Sequence, residues 1–170
     1  MTFTTDDVYI TIKKRLGFSQ KFRFPFDDSQ IYEWARDEPF TMMNESLPFT
    51  LGDISEMNDS DFNRLNHVLE TLANSDFKIL SMYQMKQFID GTLGCWHNLN
   101  EETLNDYMLI PARDPEDMAL SYANVAGDTD SILRSLPGDI DAYLDWHKIG
   151  QTLIDSDQVT EIQGAYIAEV

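Results

Sequence analysis

Twenty-five of the thirty Asp and Glu residues fall between residues 37 and 170, against six Lys and Arg in the same stretch. That part of the chain carries −19, while residues 1–36 come to +1. An acid excess of this size repels itself in any compact state, and a chain that keeps it while folding must hold its carboxylates on the surface, where their field acts on a partner. Proteins with basic grooves are the expected partners.

The acidic part is nevertheless expected to fold. Disordered acidic segments lack aromatic and branched aliphatic residues. Here 42% of residues are hydrophobic and 12% aromatic, and they recur between the carboxylates as far as Val170. A length of 170 residues suits one domain or two or three small modules in series. A lone Cys95 has no partner for an internal disulfide, and no apolar run approaches the ~18 residues of a membrane span. Met1 to Asp7 has neither the basic flank nor the apolar core of a secretion signal. The cytoplasm is therefore the expected compartment, and an anionic membrane is not an expected partner.

Residues 1–52 read as a mixed strand and helix module. Val8, Ile10 and Ile12 alternate with Tyr9, Thr11 and Lys13, and Phe22, Phe24 and Phe26 with Lys21, Arg23 and Pro25, giving two strands joined near Gly17. Asp27 to Ser29 can cap a short helix with Ile31, Trp34 and Ala35, and Phe40 to Asn44 can return as a third strand. Residues 53–112 read as a helical middle module. Asp59 or Ser60 caps a helix with the stripe Phe62, Leu65, Leu69 and Leu72; a second helix runs from Ser75 to about Gly91 with Ile79, Met82, Tyr83 and Ile89 inward; a third follows Asn100, with Leu104 stapled to Leu99.

Residues 113–170 read as an acidic module of helices and a hairpin. Asp114, Pro115, Glu116 and Asp117 combine a capping side chain, proline at the first helical position and two acids in the first turn, and Met118, Tyr122 and Val125 line the inner face up to Gly127. A helix over 139–149 turns Ile140, Tyr143, Leu144 and His147 inward, with Asp141 and Asp145 four apart outside. That like-charge pair costs roughly 0.2–0.5 kcal/mol, partly offset if Asp145 meets Lys148. Val159 to Ile167 reads as a terminal hairpin turning at Gly164. The fold class expected is α+β, an elongated array of three small modules.

Motifs for catalysis are missing. His67, His97 and His147 are scattered, and Cys95 with His97 supplies two ligands where structural zinc takes four. Asp128 with Asp130, and Asp155 with Asp157, open like calcium loops but lack the glycine at position six and the glutamate at twelve. The eight glycines form no phosphate-binding loop, and no serine sits in a nucleophile elbow. No enzyme activity, metal or cofactor is expected. Met42, Met43, Met82, Met85, Met108 and Met118 are read as core filling, and Lys13, Lys14 and Arg15 as pairing with the chain's own acids.

The sharper reading of the acids is that they imitate phosphates. Duplex DNA presents one charge per ~1.7 Å of axis, so a dimer at about −36 balances roughly 60 Å of duplex. Asp114, Glu116, Asp117, Asp128, Asp130, Asp139, Asp141 and Asp145 are the candidate array, since they cluster at helix starts and outer faces in the most acidic module.

Three stretches also resemble the antirestriction proteins of the ArdA type. They are residues 40–49 (FTMMNESLPF) followed by a helix with Asn63, Arg64 and Leu65; residues 139–153 (DIDAYLDWHKIGQTL) closing on 164–170 (GAYIAEV), with Tyr143, Gly150 and Gly164 at matching places; and the acidic helix over Asp117 to Tyr122. Gln151 and Thr152 stand where that family has Arg and Asp. The resemblance implies a dimer, joined through its C-terminal part, that mimics bent DNA and blocks type I restriction-modification enzymes without catalysis or cofactor. A different nucleic-acid enzyme, such as a CRISPR effector, or an acidic adaptor role are the alternatives.

Overall fold

The computed structural model describes residues 2–36, 38–126 and 144–170, which form an α+β structure with two three-stranded antiparallel sheets. The chain divides into two compact units, Met1–Leu104 and Asn105–Val170.

In the first unit, β1 (Tyr9–Lys14) lies between β2 (Ser19–Arg23) and β3 (Phe40–Glu45). The expected alternation holds for Ile10 and Ile12, which are fully buried, but Thr11 is buried too because β1 is the central strand. β2 ends at Arg23, ahead of Pro25. Helix α1 (Asp28–Ala35) starts where Asp27 accepts the Ser29 N–H, as the Asp-Asp-Ser run predicts.

Helix α2 (Asp59–Asn74) buries Phe62, Leu65, Val68, Leu69 and Leu72. Its cap is Asn58, ahead of the expected Asp59 or Ser60. The Asn58 side chain takes the Asp61 N–H while the Asp61 carboxylate takes the Asn58 N–H, a reciprocal pair that satisfies two donors at the helix end. Asn66 then ties α2 to the segment after β2, accepting the Phe26 N–H at 2.8 Å and donating to its carbonyl at 2.7 Å.

The single helix expected from Ser75 is broken. A short turn at Asp76–Ile79 is followed by α3 (Met82–Lys86), which continues as a π-helical stretch over Gln87–Thr92. The break is chemical: Ser81 and Gln84 make a capping box that starts a new helix and resets which side chains face in. Phe77, Leu80, Met85, Phe88 and Ile89 are buried, while Ile79, Met82 and Tyr83 face solvent, contrary to the sequence reading. Leu99 and Leu104 are buried at α4 (Glu101–Asn105) as expected.

The second unit carries a strand that the sequence reading placed among helices. β4 (Tyr107–Ile110) pairs with the final strand because Tyr-Met-Leu-Ile is a short unbroken apolar run, compatible with strand or helix until flanking structure decides. The sheet order is β4-β6-β5, with β5 at Val159–Ile162 and β6 at Ala165–Glu169. Gln163 and Gly164 both take positive φ, 46° and 79°, the conformation of the tight two-residue turn that the hairpin reading required. The helices described in this unit are α5 (Pro115–Ala126) and α6 (Trp146–Asp155). Ile110, Met118, Val159, Tyr166 and Ala168 form its core, with Tyr122, Leu153 and Ile154 packed against them. Val125 and His147, expected inside, are exposed.

The methionines divide between the two roles open to them. Met85 and Met118 are buried core residues, Met42 and Met108 are half-buried, and Met43 and Met82 face solvent.

Candidate functional site

The most acidic stretch of the second unit begins at the start of α5. Asp114 caps the helix, its Oδ1 accepting the Asp117 N–H at 2.9 Å. Asp117 reaches back, accepting the Arg113 N–H at 3.1 Å and its Nε–H at 3.2 Å. These hydrogen bonds from Arg113, side chain first and backbone second, hold the Asp117 carboxyl below the ordinary carboxylate range. Glu116 stands exposed between them. The three acids thus sit at the N-terminal, positive end of the helix dipole.

Asp145 plays the same part at α6. It is the cap itself, its Oδ1 accepting the Lys148 N–H at 3.0 Å, and not a residue on the outer face of a longer helix as the sequence suggested. Lys148 therefore serves it through its backbone. At the other end of α6, Asp157 takes a left-handed φ of 58°; its N–H reaches the Ile154 carbonyl and the Gln158 N–H reaches that of Leu153. This is a Schellman closure, so the Asp155 and Asp157 pattern that resembled a calcium loop is a helix end.

The two helix starts are locked together by a close crossing. A Cβ on Gly150, in α6, would run into the carbonyl of Pro115, the first residue of α5. Only glycine lets the two backbones approach so nearly. Beneath them, burial first, then the charges of Glu161 and Asp114, push the Tyr166 hydroxyl above its ordinary range.

Of the eight candidate carboxylates, Asp114, Glu116, Asp117 and Asp145 are described and lie on the surface of this unit. Asp128, Asp130, Asp139 and Asp141 lie outside the described residues, as do Ile140 and Tyr143. Asp106, Asp155, Asp157, Glu161 and Glu169, which are not among the eight, are also exposed on the same unit. Among the described residues the one ion pair is Arg113 with Asp117. Most described acids of this unit therefore face water with their charge uncompensated by a neighbouring cation.

Acids of the first unit cap helices as well, and one clamps a loop. Asp27 and Asp53 cap short helices through hydrogen bonds from Ser29 and Ser55, which lower both carboxyls below the ordinary range. Asp90 clamps Thr50, accepting from its N–H and its hydroxyl. Lys14 stacks over Trp34 and Lys21 over Tyr9, and among the described residues neither makes an ion pair with a carboxylate. Trp96 and His97 stack, with the Trp96 Nε–H donating to the Leu51 carbonyl. Arg64, one of the residues carrying the family resemblance, donates to the carbonyls of His97 and Leu99 and so has a structural task.

Among the described residues no group of three metal-ligating side chains occurs, and no helix is long and apolar enough to cross a membrane. Comparison with protein-family models and with curated proteins finds no match for the chain. What the surface can do chemically is offer many fixed negative charges to a cationic groove.

Proposed function

We propose that this chain is an antirestriction protein that acts as a DNA mimic, occupying the DNA-binding groove of a type I restriction-modification enzyme through an array of surface carboxylates. The observation that carries the reading is the −19 on residues 37–170, supported by the single ion pair among the described residues. Acids left unpaired keep their field, and a cationic groove shaped for phosphates recovers that field on binding. The capped helix starts of the second unit support the same reading, because they hold Asp114, Asp117 and Asp145 in place before the partner arrives and so reduce the ordering cost of association.

The role is inhibition without catalysis or cofactor, and the active form is a homodimer in the cytoplasm. The test is expression in cells with an active type I system, challenged with unmodified phage DNA. Survival of that DNA, lost when the eight candidate acids are replaced together by Asn and Gln, is the expected result. Unchanged restriction in cells that accumulate the folded chain overturns the proposal.

A further inference from the structure

The first unit carries a surface of opposite character. Residues 8–26 contain five Lys and Arg and no acid, in a chain of net −18. The loop joining β1 to β2 lifts Leu16 and Phe18 into solvent at 73% and 69% exposure. Among the described residues β2 is an edge strand. Lys14 N–H donates to the Phe18 carbonyl and Phe24 N–H to that of Val8, so the even-numbered residues of β2 bond to β1. Alternation in an antiparallel pair then turns the backbone N–H and C=O of Ser19, Lys21 and Arg23 toward the open side.

From these features we infer that the free edge of β2 receives an extended acidic segment of another protein, which adds as a fourth strand. The edge offers alternating donors and acceptors, which match a peptide backbone, whereas a phosphate backbone brings acceptors alone. Carboxylates on the added strand lie opposite Lys21 and Arg23, and Phe18 and Leu16 grip an apolar side chain at its end. A second copy of this chain is disfavoured, since antiparallel pairing of two β2 edges sets Lys21 and Arg23 against like charges. Cations on an edge strand can also serve only to block pairing. Two large exposed apolar residues beside them work against that purpose. The inference stands apart from the DNA-mimic reading, whose acids lie elsewhere.

The probe is a labelled peptide of alternating Glu and Val, about eight residues long, titrated into the full chain at about 0.05 M and 0.5 M salt. The Lys and Val counterpart, a thymidine oligonucleotide and phosphatidylserine vesicles are run beside it. Saturable binding of the acidic peptide is expected, with slowed amide exchange at Ser19, Lys21 and Arg23. Binding weakens about tenfold at high salt, in K21E/R23E and in F18S, each checked for an unchanged circular dichroism spectrum. Equal binding of the Lys and Val peptide, binding of the oligonucleotide or vesicles in place of the acidic peptide, or no saturable binding overturns the inference.

Discussion

Gly150 lies against Pro115 so closely that a Cβ on the glycine would strike the proline's carbonyl oxygen and carbon. This contact joins the start of α5, where Asp114, Glu116 and Asp117 cluster, to the helix capped by Asp145. Gly150→Ala is the direct probe. Helix propensity alone makes Ala better than Gly by about 1 kcal/mol. The collision reverses the sign, because the obstacle is backbone and cannot rotate away, and a net loss of about 2–3 kcal/mol is expected. Urea unfolding of the two proteins checks it, and a more stable Ala variant would show the crossing to be looser than described.

Capping and mimicry can be separated at Asp114 and Asp145. Asn caps a helix about as well as Asp, so Asp114→Asn and Asp145→Asn should change stability by no more than about 0.5 kcal/mol, while the Ala variants each lose about 1 kcal/mol. Each Asn change should weaken inhibition only about twofold, as expected for one exposed charge among many. Combining several should multiply the losses. Thermal unfolding and inhibition titrations on the same variants distinguish the two roles.

Glu45 carries a stability cost once its carboxyl is ionised. One carboxylate oxygen is buried without a hydrogen-bond partner, and burial, opposed by Lys86 and reinforced by Asp90, raises its pKa above 4.5. A raised folded pKa means that the stability gained by the protonated form is complete below the unfolded value and is lost as pH rises through the folded one. Glu45→Gln should therefore raise the melting temperature by about 1–2 °C at pH 7 and by less at pH 4. Melting curves at the two pH values check this.

Asp27, Asp53 and Asp117 work in the opposite sense. Their carboxyls are depressed below 3.8 by hydrogen bonds from Ser29, Ser55 and Arg113 respectively. Their contribution is present above the unfolded value and is lost as pH falls through the folded values, below about 4. Acid unfolding monitored by circular dichroism should begin in that range. Replacing all three by Asn should flatten that part of the curve.

Much of the fold is legible in the order of residues. The alternation at Ile10 and Ile12, the stripe from Phe62 to Leu72 and the Gln163–Gly164 turn follow from local periodicity and backbone preference, and each forms as read. The errors arise where a local signal competes with an equally local alternative. Ser81 and Gln84 restart a helix that hydrophobic spacing alone carried through, and Tyr107–Ile110 becomes a strand because β6 is there to pair with it. The apolar pattern ahead of Asp145 masks the helix start in sequence, so its capping role emerges only from the structure. The acids are visible in sequence as a charge excess, but which of them cap, clamp or stand free depends on hydrogen-bond partners as distant as Thr50 from Asp90.

The most direct measurement places the purified chain in competition with duplex DNA for a purified type I methyltransferase, over a series of salt concentrations. Displacement of the DNA to completion, with an apparent affinity that falls steeply as salt rises, is the result expected of fixed carboxylates standing in for phosphates. An enzyme that keeps its DNA in the presence of excess chain, or a displacement indifferent to salt, would contradict it.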